Sequence, residues 1–211
     1  LNRAEFDKFD FMKENRKIIY SPFDLPSADF SKKEKIILSV GRLEKIKGYE
    51  NYIKALSMIS NSIKDGWEIV LCGSGSLEPR LRDLALSLGV SVSFLGFRND
   101  ISYYYSKASI VALPSLKETL PNSLIESIYF DCARFATPTD GAKELINSGK
   151  DGVLSTDFTP KAMKDALEAL MTSEAARLKY AYESRKLKDK FSIEIFNKSW
   201  LEVINRVVNA K

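Results

Sequence analysis

KIILSVGRLEKIKGYENYIKALSMISNSI, Lys35–Ile63, is the stretch that decides the fold. It opens on KIILSV, a short apolar run of the kind that forms a strand buried on both faces. A turn holding Gly41 and Gly48 follows. From Tyr49 to Ile63 the apolar residues then recur at helical spacing. One strand, one glycine turn and one helix make the repeating unit of an α/β protein.

The unit recurs outward from there. WEIVLC (Trp67–Cys72), VSVSFL (Val90–Leu95) and SIVALP (Ser109–Pro114) read as further strands, with RFAT (Arg134–Thr137) and GVLS (Gly152–Ser155) as weaker ones. EPRLRDLALSL (Glu78–Leu88), NSLIESIY (Asn122–Tyr129) and AKELIN (Ala142–Asn147) read as the helices between them. The alternation predicts an α/β fold: a Rossmann-like parallel sheet of about six strands with helices on both faces. After Thr159 the pattern is helical throughout. PKAMKDALEALMT, SEAARLKYAYESRKLKDKF and SIEIFNKSWLEVINRVVNA are introduced by Thr159, Ser173 and Ser192, residues whose side-chain oxygens suit an N-cap. In the other direction, residues 1–34 have poor periodicity and hold Pro22 and Pro26. They read as a linker region with one extended piece, KIIY (Lys17–Tyr20).

With 45% hydrophobic and 28% charged residues in 211, the chain is an ordinary globular protein that can bury a large core without staples. Cys72 and Cys132 lie in or beside apolar runs, so they indicate free thiols in a reducing compartment. The chain has no histidine, which excludes any mechanism run by a histidine base or metal ligand within it. A net charge of +4, spread along the sequence, favours anionic partners without forming the clustered basic face of a nucleic-acid binder. No apolar run is long enough to span a bilayer, and no signal peptide is recognisable at the start. Leu1 opens the chain, and a longer parent protein is expected.

In an open α/β sheet, ligands bind beyond the carboxyl ends of the strands. Four strand ends carry residues suited to that. GRLEKIKG joins Gly41, where backbone can approach a ligand, to Arg42 and Lys47, which suit a diphosphate; a solvated basic turn is the alternative. CGSGSLEPRL places Gly73 in a second glycine turn, but Glu78 occupies the position of the third glycine in a dinucleotide fingerprint. SFLGFRND puts Phe97 where it lies against a flat base, unless it is a core aromatic. LPSLKETLPNSLIES carries the most information. Glu118 lies in the loop, Pro121 and Asn122 open a helix, and Glu126 follows eight positions after Glu118. The free N–H groups of that helix start can hold a phosphate or sugar hydroxyls. A carboxylate there can accept both hydroxyls of a ribose.

In these residues the sequence resembles glycosyltransferase family 4, retaining enzymes of the two-domain GT-B type. The family's five segments for the nucleotide-sugar domain appear in order as GRLEKIKG, CGSGSLEPRL, SFLGF, LPSLKETLPNSLIES and DGAKELINSGKDGVLS, over Lys17–Gly152. YSPFDL (Tyr20–Leu25) is similar to the linker that precedes this domain. The resemblance implies that residues 1–34 are the trailing edge of an N-terminal domain and the interdomain linker. It makes 35–190 the donor-binding domain, and 191–211 a helix that packs on the N-terminal domain. It implies Arg42 and Lys47 on the diphosphate and Glu126 on the ribose. Glu118 and the backbone of Leu120, Pro121 and Asn122 would hold the transferred sugar and distal phosphate, with Gly41 and Gly73 close to the donor and Phe97 near the base. Glu118, Arg42 and Lys47 form the catalytic set. Thr119, Asp131 and Ala142 stand where the family carries glycine, and Ala133 where it carries proline.

The function so implied is transfer of a sugar from a nucleotide-diphosphate sugar to a glycan or lipid-linked acceptor in cell-surface polysaccharide synthesis. It would need no cofactor or metal. Its place would be cytoplasmic, with peripheral association at the inner face of the membrane, and it would have no nucleic-acid partner. By itself the chain would be inactive. A non-catalytic nucleotide-binding regulatory module is the alternative. A dinucleotide-dependent oxidoreductase is disfavoured by the incomplete glycine fingerprint and by the lack of an acidic residue after the second strand.

Overall fold

The computed structural model describes Arg3, residues 17–25 and residues 33–209. Six parallel strands form one sheet: β1 (Glu34–Val40), β2 (Glu68–Cys72), β3 (Ser93–Phe94), β4 (Ala108–Leu113), β5 (Ala133–Ala136) and β6 (Val153–Leu154). Their order is β3-β2-β1-β4-β5-β6. The chain therefore builds outward from β1 in one direction and then returns to β1's other edge with β4. The crevice where those directions diverge lies at the carboxyl ends of β1 and β4.

The helices are α1 (Tyr49–Ser57), α2 (Asn61–Lys64), α3 (Glu78–Ser87), α4 (Ile101–Lys107), α5 (Asn122–Tyr129), α6 (Asp140–Leu145), α7 (Pro160–Thr172), α8 (Glu174–Ser184) and α9 (Ile193–Val208). Strand side chains alternate between the two helical layers. Ile37, Ile69, Leu71, Ile110 and Phe135 meet Tyr52, Ile53 and Leu56 of α1 and Met163 and Leu167 of α7. Leu38, Val70, Cys72 and Val111 meet Tyr105 of α4 and Phe130 on the opposite face. Burial on both faces is why the central strands are mostly apolar, and each fully buried Leu or Ile contributes about 1.5–3 kcal/mol.

The three expected caps are formed: the hydroxyls of Thr159, Ser173 and Ser192 accept from the amides of Ala162, Ala176 and Ile195. Elsewhere the structure corrects the sequence reading. Tyr49–Ile63 is two helices, because Ser60 is extended and restarts the chain at Asn61. Serine and asparagine favour such turns, and the break seats Ile59 in the core. β3 is shorter than Val90–Leu95, because the amide of Val90 is used on the carbonyl of Ala85 at the end of α3. Helix α4 stands where the sequence pattern announced none. The run after Ser184 continues as a 3-10 segment, Arg185–Phe191. The extended piece Lys17–Tyr20, read as part of a linker, pairs with no strand among the described residues, and Tyr20 and Phe23 lie edge-on to Phe191. Residues 4–16, part of the expected trailing edge, fall outside the described residues.

Two family departures find physical reasons. Asp131 has φ 51°, the left-handed conformation that favours glycine, and Arg185 grips its carboxylate at 2.5 and 2.6 Å. Of the Gly141-Ala142 pair, Gly141 is the position that admits no side chain. A Cβ there would lie 2.4 Å from the carbonyl oxygen of Thr119.

Candidate functional site

The β1–α1 and β2–α3 loops are zipped together. Leu43 donates its amide to Ser74 at 2.9 Å, and Leu77 donates to Leu43 at 3.0 Å. The Glu44 carboxylate closes the join, accepting from the amide and the hydroxyl of Ser76, each at 2.8 Å. Those two bonds hold its carboxyl below the usual carboxylate range. Gly73 has φ 138°, and a Cβ on it would stand 2.0 Å from the carbonyl oxygen of Gly41. It is glycine because another loop backbone occupies that space.

Between these loops, the end of β3 and α5 lies a cavity of about 460 Å³. Gly41, Arg42, Gly73, Phe97 and Glu126 line it, so five of the expected site residues come together. Phe97 is 76% exposed at the rim, which removes the core-aromatic alternative. Ser74, Arg98 and Asn99 also line the cavity and were not among the expected residues. Arg98 is held by Asp100 through bonds of 2.9 and 2.8 Å and lies 5.3 Å from the centroid of Tyr104. Burial pushes the thiol of Cys72 at the cavity wall up to about 11, so it is neutral at physiological pH.

Lys47 and Glu118 are not part of the cavity lining. They meet each other at 2.6 Å, and Ser115 also donates to Glu118, at 2.7 Å. The contact is built by the sheet order. β1 and β4 are neighbours, and the loops after them are joined by the Leu116 amide bonding Ile46 at 2.8 Å. The stem of Lys47 runs beside Gly41, with its Cε 3.6 Å from where a Cβ on Gly41 would stand. The stem of Lys47 is thus next to the cavity wall, through Gly41.

At the start of α5 the three expected residues differ in what they offer. Proline has no N–H. The carbonyl of Pro121 accepts from the amides of Leu124 and Ile125 at 3.1 and 3.4 Å. Its backbone therefore shapes the turn, and of the three only Leu120 and Asn122 carry donors. Leu120 is half-buried, Pro121 buried and Asn122 exposed. Among the described residues no group of three histidine, cysteine or acidic side chains is assembled in a way that could hold a metal ion, and no helix is long and apolar enough to cross a membrane.

Comparison with known proteins follows the same outline. The family described as glycosyl transferases group 1 matches residues 22–187. A Campylobacter jejuni GalNAc-alpha-(1->4)-GalNAc-alpha-(1->3)-diNAcBac-PP-undecaprenol alpha-1,4-N-acetyl-D-galactosaminyltransferase is 32% identical over 179 residues, 84% of this chain and 50% of the relative. The chain spans about half the length of the first curated relatives that it matches. Among solved structures, S. aureus TarM in complex with fondaparinux, alpha-GlcNAc-glycerol and UDP superposes with a TM-score of 0.85 at 19% identity, over 97% of this chain and 43% of that one. The C-terminal domain of a glycosyl transferase group 1 family protein from Francisella tularensis superposes with a TM-score of 0.67 at 22% identity, over 83% of this chain and 97% of that one. At these identities the structural likeness concerns the fold.

Proposed function

The chain belongs to the group 1 glycosyl transferases, and we propose on that premise that it is the donor-binding domain of a retaining, family 4 enzyme. The reaction proposed moves a sugar from a nucleotide-diphosphate sugar to a glycan or lipid-linked acceptor in cell-surface polysaccharide synthesis. One observation carries the reading. One cavity at the ends of β1 and β2 is lined by both a cation, Arg42, and a carboxylate, Glu126, and Lys47, whose stem runs beside the lining residue Gly41, holds Glu118. A cation and a carboxylate lining one cavity suit a ligand that carries both a diphosphate and a cis-diol.

In this reading Glu126 accepts the ribose hydroxyls and Phe97 lies near the base. Arg42 and Lys47 stabilise the negative charge that grows on the leaving diphosphate. Glu118 and the Leu120 and Asn122 amides hold the transferred sugar and the distal phosphate. Residues 35–190 form the donor unit. None of the described residues of α9 is buried, and Trp200, Leu201 and Ile204 are exposed. That apolar face packs on the acceptor-side domain, to which residues 1–34 lead. An undecaprenol-linked acceptor in the name of the Campylobacter relative supports a lipid-linked acceptor and a cytoplasmic site at the inner membrane face.

Glu126→Ala tests the assignment. Losing a hydrogen bond to a charged group costs about 1.5–3 kcal/mol, so the affinity for the matched nucleotide should fall roughly 10- to 100-fold in calorimetry. Unchanged affinity would remove Glu126 from the ribose. A second expected outcome concerns metal. Arg42 and Lys47 can neutralise a diphosphate without help, so nucleotide affinity should stay within about twofold when EDTA is added. A large drop on chelation would mean that a cation is part of the donor site.

A further inference from the structure

We propose that Tyr105 is the positioning residue that aims Glu126, and so sets the preference of this site for ribonucleotides over 2′-deoxyribonucleotides. The proposal rests on the assignment of Glu126 to the ribose.

The geometry begins with α4. Ile101 lines the cavity, and Tyr105, one turn later on the same helix face, lies beneath it, 1% exposed. The ring is fixed by its neighbours. It stacks on Phe130 at 5.5 Å with 14° between planes and packs in the cluster of Val70, Cys72, Val111 and Cys132. Its backbone is tied as well, since the Tyr105 carbonyl accepts from Lys33 at 2.9 Å and from the thiol of Cys132 at 3.3 Å. The phenol is therefore a fixed donor. It points at Oε2 of Glu126 from 2.7 Å, and its other polar neighbour, the carbonyl oxygen of Ser123, is farther away at 3.5 Å. Burial, with the charge of Glu126 next, holds the hydroxyl well above the ordinary tyrosine range, so it remains a donor at every physiological pH.

A carboxylate has two oxygens and about four lone-pair directions. With one oxygen tied from below by a rigid phenol, the group loses its rotational freedom. Glu126 lines the cavity, so its remaining acceptor sites are left for a ligand there, as two adjacent hydroxyls require. Without the phenol, the glutamate side chain must lose its rotamer freedom on binding, and a half-buried oxygen lacks a partner. The contribution of Tyr105 should therefore be felt only by ligands that present both hydroxyls.

The test is calorimetry of the full chain with UDP, GDP and ADP, each beside its 2′-deoxy counterpart, in the wild type, Tyr105→Phe and Glu126→Ala. Phe keeps the ring and its stacking and removes only the donor. For whichever base binds, the wild type should prefer the ribo form about 10-fold, and Tyr105→Phe should cut that ratio to about 2-fold, with the deoxy affinity nearly unchanged. Equal loss of both forms would mark Tyr105 as merely structural and overturn the proposal. A ratio kept in Tyr105→Phe but lost in Glu126→Ala would overturn it while leaving Glu126 on the ribose. No preference in the wild type, together with no effect of Glu126→Ala, would remove the ribose assignment and this proposal together.

Discussion

Asp151→Ala is expected to destabilise the chain by about 3–5 kcal/mol, because it strands the most deeply buried charge among the described residues. Arg134 lies in β5 with none of its surface exposed. One of its terminal nitrogens, Nη2, holds the Asp151 carboxylate at 2.9 Å and the Asp151 carbonyl at 3.0 Å. Its Nε and Nη1 find no partner among the described residues. Burial pushes the guanidinium down to about 10 against the pull of Asp151, so it still carries its charge at neutral pH. The same carboxylate accepts the amide of Asn147 at 3.0 Å and so closes the loop between α6 and β6. Removing it leaves a cation in the interior with no counter-charge and takes one tie from the loop. In a domain of this size the melting midpoint should fall by roughly 10 °C or more. Pairing Arg134→Met with Asp151→Asn is expected to restore most of the loss. The double change removes the buried charge and keeps an acceptor for Asn147. Guanidinium denaturation of the two variants measures both effects, and a loss under about 1 kcal/mol for Asp151→Ala would show that the arginine reaches water.

What the sequence reveals of this molecule follows how local each feature is. β1, β2 and β4 are readable because burial on both faces leaves near-continuous apolar runs. α4 is hidden in ISYYYSK, since tyrosines favour strands over helices and seven residues are too few to show a period. Which of Tyr103, Tyr104 and Tyr105 is buried depends on the helix phase and on where Phe130 lies, neither of which is a property of the run itself. Arg42 and Glu126 are readable as charges just past a strand end and in the second turn of a helix. The pairing of Lys47 with Glu118, 71 positions apart, exists only because β4 returns to the side of β1. Arg134 is the sharpest case. A charged residue inside a short strand weakens the strand reading, and its justification is an aspartate 17 positions later.

The chain alone is expected to bind the donor and transfer nothing. The residues assigned to the donor fall between Gly41 and Glu126, so binding needs only the described fold. Transfer needs more. The bond between the sugar and the diphosphate breaks while a bond to an acceptor hydroxyl forms, and that hydroxyl must be held at roughly 3–3.5 Å with water kept out. The cavity is poorly made for either task. Phe97 stands 76% exposed on its rim, and Arg42 is exposed on its wall. The relatives that share this sequence pattern are about twice as long. A second domain closing over the sugar would supply the acceptor and the dry environment that strengthens the pull of Arg42 and Lys47 on the leaving group. Without it, donor affinity should be weak, with Kd on the order of 0.1–1 mM, or about 4–5.5 kcal/mol. Turnover should fall at least about 1,000-fold below that of a complete two-domain enzyme, since orientation alone is worth more than that. The measurement mixes the chain with UDP-, GDP- and dTDP-sugars and lipid-linked or glycan acceptors, and follows product by mass spectrometry. Sustained multiple turnover would place the acceptor site within these 211 residues, and the division of labour between two domains would have to be given up.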